Sequence, residues 1–211
     1  MRTRATKRTR LRATTATAAT IGLAAAVLGT VGVGSASAVP VSLTLNYSCV
    51  FPLLDEQPIQ VKISSDIPQT IAVNTPTGKI NISTVTTVNA DVTTALGLVG
   101  ATTLQGSAKA SATVSVPQGK VTVKPTFAIP STNVPEEGSF TVAASGAAPS
   151  LQFRQAGSGT ITVGDIVLTL SIRNGAGAVI DLDDDGNETF TAPCTQLPGQ
   201  NNVLAKFTIT A

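Results

Sequence analysis

The sequence predicts an all-β fold, a sandwich of antiparallel strands with one short helical turn, in a single exported domain. Three observations carry this. Short stretches alternate apolar and polar residues or run β-branched, as half-buried strands do. Gly, Pro, Asn and Asp separate them at close intervals. The only two cysteines, Cys49 and Cys194, each fall in frame with an apolar strand face.

Residues 1–38 read as a cleaved secretory signal. Arg2, Arg4, Lys7, Arg8, Arg10 and Arg12 form a basic start, and Ile21 to Gly34 is an apolar run of 14 residues. A bilayer span takes about 20. Ala36-Ser37-Ala38 then supplies the small residues of a cleavage site. No Arg-Arg pair marks the twin-arginine route. Residues 39–211 are the expected mature domain, with no membrane span. Six of the 14 basic residues leave with the signal, so eight basic face 12 acidic residues, a net of −4. The basic start is therefore no footprint of nucleic-acid binding, and no cluster of cations with interleaved aromatics follows it.

The first mature strand is "VSLTLNYSCVF" (41–51), where Val41, Leu43, Leu45, Tyr47, Cys49 and Phe51 share a face. Strands follow at 58–64, 79–85, 106–116, 120–129, 138–144, 148–153, 159–172 and 201–210. "NADVTTALGLVG" (89–100) is the exception, because Asn89 can cap and Val92, Ala95, Leu96 and Val99 recur at helical spacing. In "FTAPC" (190–194), Phe190, Ala192 and Cys194 alternate onto one face. In an oxidising compartment Cys49 and Cys194 pair by default. Such a closure stabilises by roughly 5 kcal/mol in the chain-entropy account. The stretches 61–70 and 123–132 echo one another, with Val-Lys, Ile-Pro and Thr in step. They admit two related β-units in one domain, or chance recurrence.

"YSCVFPLLDEQPIQVKISSDIP", "VNADVTTALGLVGATTLQGSAKASATV" and "CTQLPGQNNVLAKFTIT" occur in that order. Together they resemble a family of secreted actinobacterial proteins whose shared domain has no assigned function. The resemblance implies an Ig-like β-sandwich, exported and cell-surface or matrix associated, and transfers no catalytic residue.

The sequence has no His, so Ser/His/Asp and Cys/His schemes lack their usual base. No S-x-x-K motif singles out a Ser-Lys pair. Glu136-Glu137 and Asp55-Glu56 are adjacent carboxylates in Pro-flanked turns, where solvated charge is the simplest reading. A glycosidase needs two carboxylates about 5–10 Å apart across a cleft. The sharpest motif is "DLDDDGNETF" (181–190). Asp181, Asp183 and Asp185 stand at alternate positions before Gly186, the arrangement calcium uses, with Glu188 as a further ligand. Ala192 occupies the place of an EF-hand's bidentate Glu, and the rival reading is a polar hairpin tip. The sequons at Asn46, Asn81 and Asn187 read as composition. The expected function is a secreted, non-enzymatic protein, extracellular or loosely wall-associated, acting in interaction or structure. The alternatives are a calcium-dependent module for glycan or cell-wall polymer, and a small secreted hydrolase. A lipid carrier is a further option, with no motif to mark it.

Overall fold

The computed structural model describes residues 38–52, 54, 56–182 and 186–211, so the predicted signal lies almost wholly outside the described residues. Twelve strands and one helix follow in order. They are β1 (Ala38–Val50), β2 (Glu56–Pro68), β3 (Thr70–Ala72), β4 (Ile80–Val88), α1 (Ala90–Leu98), β5 (Ala101–Val116), β6 (Gly119–Val123), β7 (Thr126–Asn133), β8 (Phe140–Ala148), β9 (Gly157–Asn174), β10 (Val179–Ile180), β11 (Phe190–Gln196) and β12 (Val203–Thr210).

Alternation decides which face each strand buries. On β2, Ile59, Val61, Ile63 and Ile67 are buried, while Gln60, Lys62 and Asp66 are exposed. On β1, Leu45, Tyr47 and Cys49 point inward. Burying each Val, Leu or Ile side chain contributes about 1.5–3 kcal/mol.

The all-β class and the single short helix are as the sequence predicts. The strands are not divided between two sheets, as an immunoglobulin-like sandwich requires. They form one hydrogen-bonded sheet, antiparallel except for the short parallel pairing of β12 with β3. The sheet also returns on itself, because β5 pairs with β9 from Ala101↔Asn174 to Ser115↔Thr160. The circuit β9-β11-β1-β2-β4-β8-β7-β5-β9 is therefore a closed eight-stranded barrel. An alternating pattern serves barrel and sandwich equally, since both have an inside and an outside. β5 and β9 are long enough to run past the barrel. Their far ends carry β6 and β12, and Phe153 and Phe207 pack there, ring centroids 5.4 Å apart, with Ile71, Val114 and Ile209.

Three further expectations change. Residues 120–129 are two strands, broken at Lys124-Pro125. Residues 149–153 form no strand, and Gln152 only bridges to Pro76. The echoing stretches fold differently: Val61-Lys62 lies inside β2, whereas Val123 ends β6.

Asn89 caps α1 as expected, its Oδ1 accepting the Val92 N–H at 2.9 Å. The helix buries Val92, Thr93 and Leu96, and closes one end of the barrel. Cys49 and Cys194 face each other across β1 and β11 and are disulfide-bonded. That ladder is short, running only from Tyr47↔Gln196 to Cys49↔Cys194. The bridge thus staples a narrow seam of the barrel wall. Replacing both cysteines by Ser should cost about 2–5 kcal/mol, measured as a lower urea midpoint with a steeper slope, because the unlinked denatured chain exposes more surface.

Candidate functional site: an apolar cavity inside the barrel

Eight strands enclose an interior just wide enough for side chains to fill or for one small ligand. The inward side chains decide which. Three successive inward positions of β5 are Ala108, Ala110 and Ala112. Across the interior, β4 offers Thr84 and Thr86, and Ala144 of β8 stands opposite Thr84 in register. Small residues on facing walls leave a cavity of about 110 Å³. Larger side chains complete it: Ile59 and Val61 on β2, Phe127 and Ile129 on β7, Leu168 and Leu170 on β9. Val92 and Leu96 of α1 cover one end, and Leu204 of β12 borders the other.

Among the described residues no charged side chain lines this space. Three lining residues carry a hydroxyl, and two of these are satisfied within the wall. Thr84 Oγ1 donates to the Ala144 carbonyl at 3.4 Å, and Ser111 Oγ to the Asp165 carbonyl at 3.1 Å. The arrangement excludes water and offers dispersion contact, and it presents neither nucleophile nor general base. An outer hollow of about 400 Å³ on β1, β2 and β4 is polar instead, with Lys62, Asp66, Asn81 and several serines. It has no aromatic face for a sugar.

Beside the cavity, Tyr47 is fully buried and its hydroxyl donates to the Gly164 carbonyl at 3.1 Å. Gly164 and Asp165 form the irregularity where β9 leaves the barrel, between Ile166↔Ala110 and Val163↔Ala112. Asp165 Oδ1 accepts the Gln196 N–H at 2.9 Å, and Asn202 Nδ2 donates to the Val163 carbonyl at 3.0 Å. These polar groups secure the bend. Burial raises the Tyr47 phenol to about 12.

The described acidic side chains of the loop are not part of the cavity lining, although Leu182 of the same loop packs against the core beside α1. Asp183 and Asp185 lie outside the described residues. Asp181 and Glu188 are exposed, and Asp181 Oδ2 accepts the Gly186 N–H at 2.9 Å, with Gly186 at φ +79°. That contact is turn chemistry. Among the described residues no three metal-ligating side chains converge. The sequence reading located the cysteines and this loop but missed the cavity. Its signal was present in the alanines of "GSAKASATVSV", spaced by two.

A protein-family profile matches residues 46–205. The chain belongs to DUF6801, a family of unknown function. No curated protein and no solved structure matches it. Among the described residues of this DUF6801 chain no helix is long and apolar enough to cross a membrane. Its described residues hold no obvious catalytic constellation: the cavity lining is uncharged, and no three metal-ligating side chains converge.

Two outcomes follow. The Tyr47 pKa is raised by folding, so its contribution is complete below about pH 10 and is lost as pH rises towards about 12. Tyr47→Phe should remove that alkaline component from the pH-stability curve, while costing about 1 kcal/mol at neutral pH through the lost hydrogen bond. Millimolar calcium should leave the melting temperature unchanged, with Asp181→Ala costing about 0.5–1 kcal/mol with or without the ion. A calcium-dependent rise abolished by Asp181→Ala would instead make the loop a ligand site.

Proposed function

We propose that this DUF6801 protein is secreted, is not an enzyme, and acts by holding a small apolar ligand inside its barrel. The carrying observation is the cavity bounded by Ala108, Ala110, Ala112, Thr84 and Ala144. Protein interiors pack to the density of organic crystals. Leaving about 110 Å³ unfilled forgoes roughly 2–3 kcal/mol, at ~24 cal/mol per Å³. Larger side chains on β5 would recover much of that. A wall kept small on facing strands is what a binding site requires, and its apolar lining fixes the ligand's class. Secretion is supported by the basic start, the 14-residue apolar run and Ala36-Ser37-Ala38. The missing histidine and the uncharged cavity support a non-catalytic role. The protein then works outside the cell, free or loosely attached to the wall, as a binding partner for an apolar compound.

Compact apolar probes test this directly. Xenon or benzene should shift the methyl resonances of Ala108, Ala110 and Ala144 in a saturable, dose-dependent way. Ala110→Leu should retain the fold, with a melting temperature equal or higher, and weaken binding at least tenfold. Thr86→Val, which keeps volume, should bind as the parent does. Methyl resonances indifferent to both probes would remove the proposal.

A further inference from the structure

We infer that the occupant is one unbranched hydrocarbon chain, the tail of an acyl or alkyl lipid, lying along the barrel axis with its polar head in water. The inference rests on the barrel being a ligand holder, and it adds which ligand and which way round.

Shape is the first argument. The lining runs from Ile82 to Val88 on β4 and from Leu104 to Ala112 on β5. At about 3.3 Å per residue, the six steps from Ile82 to Val88 cover roughly 20 Å along β4. Within that wall the open space is only about 110 Å³, less than the ~150 Å³ of an engineered cavity that holds benzene. It admits the end of a linear chain and is too small for a fused-ring system such as a sterol.

Chemistry is the second. Moving a carboxylate or phosphate into an apolar interior without a partner is prohibitively costly. The lining has no cation, the Thr84 and Ser111 hydroxyls are already donated to wall carbonyls, and Thr86 adds a single neutral hydroxyl that does not offset a buried charge. A head group therefore has no site within, and only the tail enters.

The third argument places the mouth. At the α1 end a second apolar recess of about 30 Å³ shares Phe51, Val92 and Leu96 with the main cavity, and adds Leu54, Ala95 and Leu182. Leu98, on the same helix, is 85 % exposed. α1 is a short plug of nine residues, held by three buried side chains. The opposite end is backed by the small core of β3, β12 and Phe153. The chain enters beneath α1 and leaves its head beside it.

The test is a chain-length series on the purified full protein. Saturated fatty acids of six to fourteen carbons are titrated by calorimetry, with their methyl esters, a methyl-branched isomer, cholesterol and benzene alongside. Affinity should rise about fourfold per added methylene, then level off once the channel is full. The ester should bind within threefold of the acid. The branched chain and the sterol should bind at least tenfold more weakly. Ala112→Leu, deep in the channel, should bring the plateau to a shorter chain while leaving the six-carbon acid unchanged. Leu96→Trp, under the plug, should instead weaken every chain. If one variant does not fold, the other and the length series still decide. A flat series, or equal binding of sterol and chain, would overturn the inference. Benzene bound with a flat series leaves the apolar-ligand reading standing, whereas binding of neither removes both.

Discussion

The ladder between β5 and β9 is the constraint on which the rest depends, because it turns an open sheet into a barrel. It is the longest closure in the molecule and is bent at two places. The first is at Thr102, between Ala101↔Asn174 and Thr103↔Arg173. At Gly106 the register with β9 is unbroken and shifts only against β7; there φ is +152° and a Cβ would overlap the Thr169 carbonyl and the Leu170 backbone. Only glycine lets the two backbones come this close. The second is at Ser111 opposite Gly164-Asp165, where Tyr47 and Gln196 from neighbouring strands hold the displaced backbone. Irregularities of this kind re-aim side chains and allow a wall to curve. Past the second bend β5 and β9 leave the barrel and build the small core around Phe153 and Phe207.

Closure fixes the interior's width, and side-chain volume then fixes what is left of it. Facing small residues on β4, β5 and β8 belong to different parts of the chain, joined only by the circuit. Thr84 meets Ala144 in one ladder, and Ala108 faces Phe127 in another. None of these choices makes a cavity alone. The apolar lining and the shortage of free polar groups follow from the same alternation that builds the strands. The geometry that stabilises the fold and the one that creates the site are thus one geometry.

This explains what the sequence could and could not reveal. Alternation identified most strands, and the Asn89 cap with Val92 and Leu96 identified α1. In-frame cysteines identified the face that carries the disulfide. The break at Lys124-Pro125 carried a visible signal in its proline, which a run of β-branched residues obscured. β3 and β10, of three and two residues, are too short for any period to register. Barrel closure was illegible because β5 and β9 lie some fifty residues apart and their pairing leaves no local mark. One trace exists: inward positions in β9 change phase from Ile161 and Val163 to Ile166, Leu168 and Leu170, at the Gly164-Asp165 irregularity. Without the closure, the alanines at 108, 110 and 112 read as a weak strand rather than as the wall of a cavity.

The circuit is not uniformly strong, and its two narrow seams are handled differently. Between β1 and β11 only Tyr47 to Cys49 are in register, and the shortfall is met covalently by the disulfide. Just beyond it, Gln200 Oε1 accepts the Asn46 N–H at 2.7 Å and Gln200 Nε2 donates to the Asn46 carbonyl at 2.8 Å, so a side chain continues the ladder. Between β7 and β8 the register holds only at Phe127↔Gly146 and Ala128↔Ser145. There Gly146 admits the close approach, since a Cβ would overlap the Thr126 carbonyl. Pro130 follows with no N–H to give, and no covalent link reinforces this seam. The wall is rigid where the disulfide and the Tyr47 network hold it. It is least constrained beside Phe127 and Ala144, two residues that line the cavity.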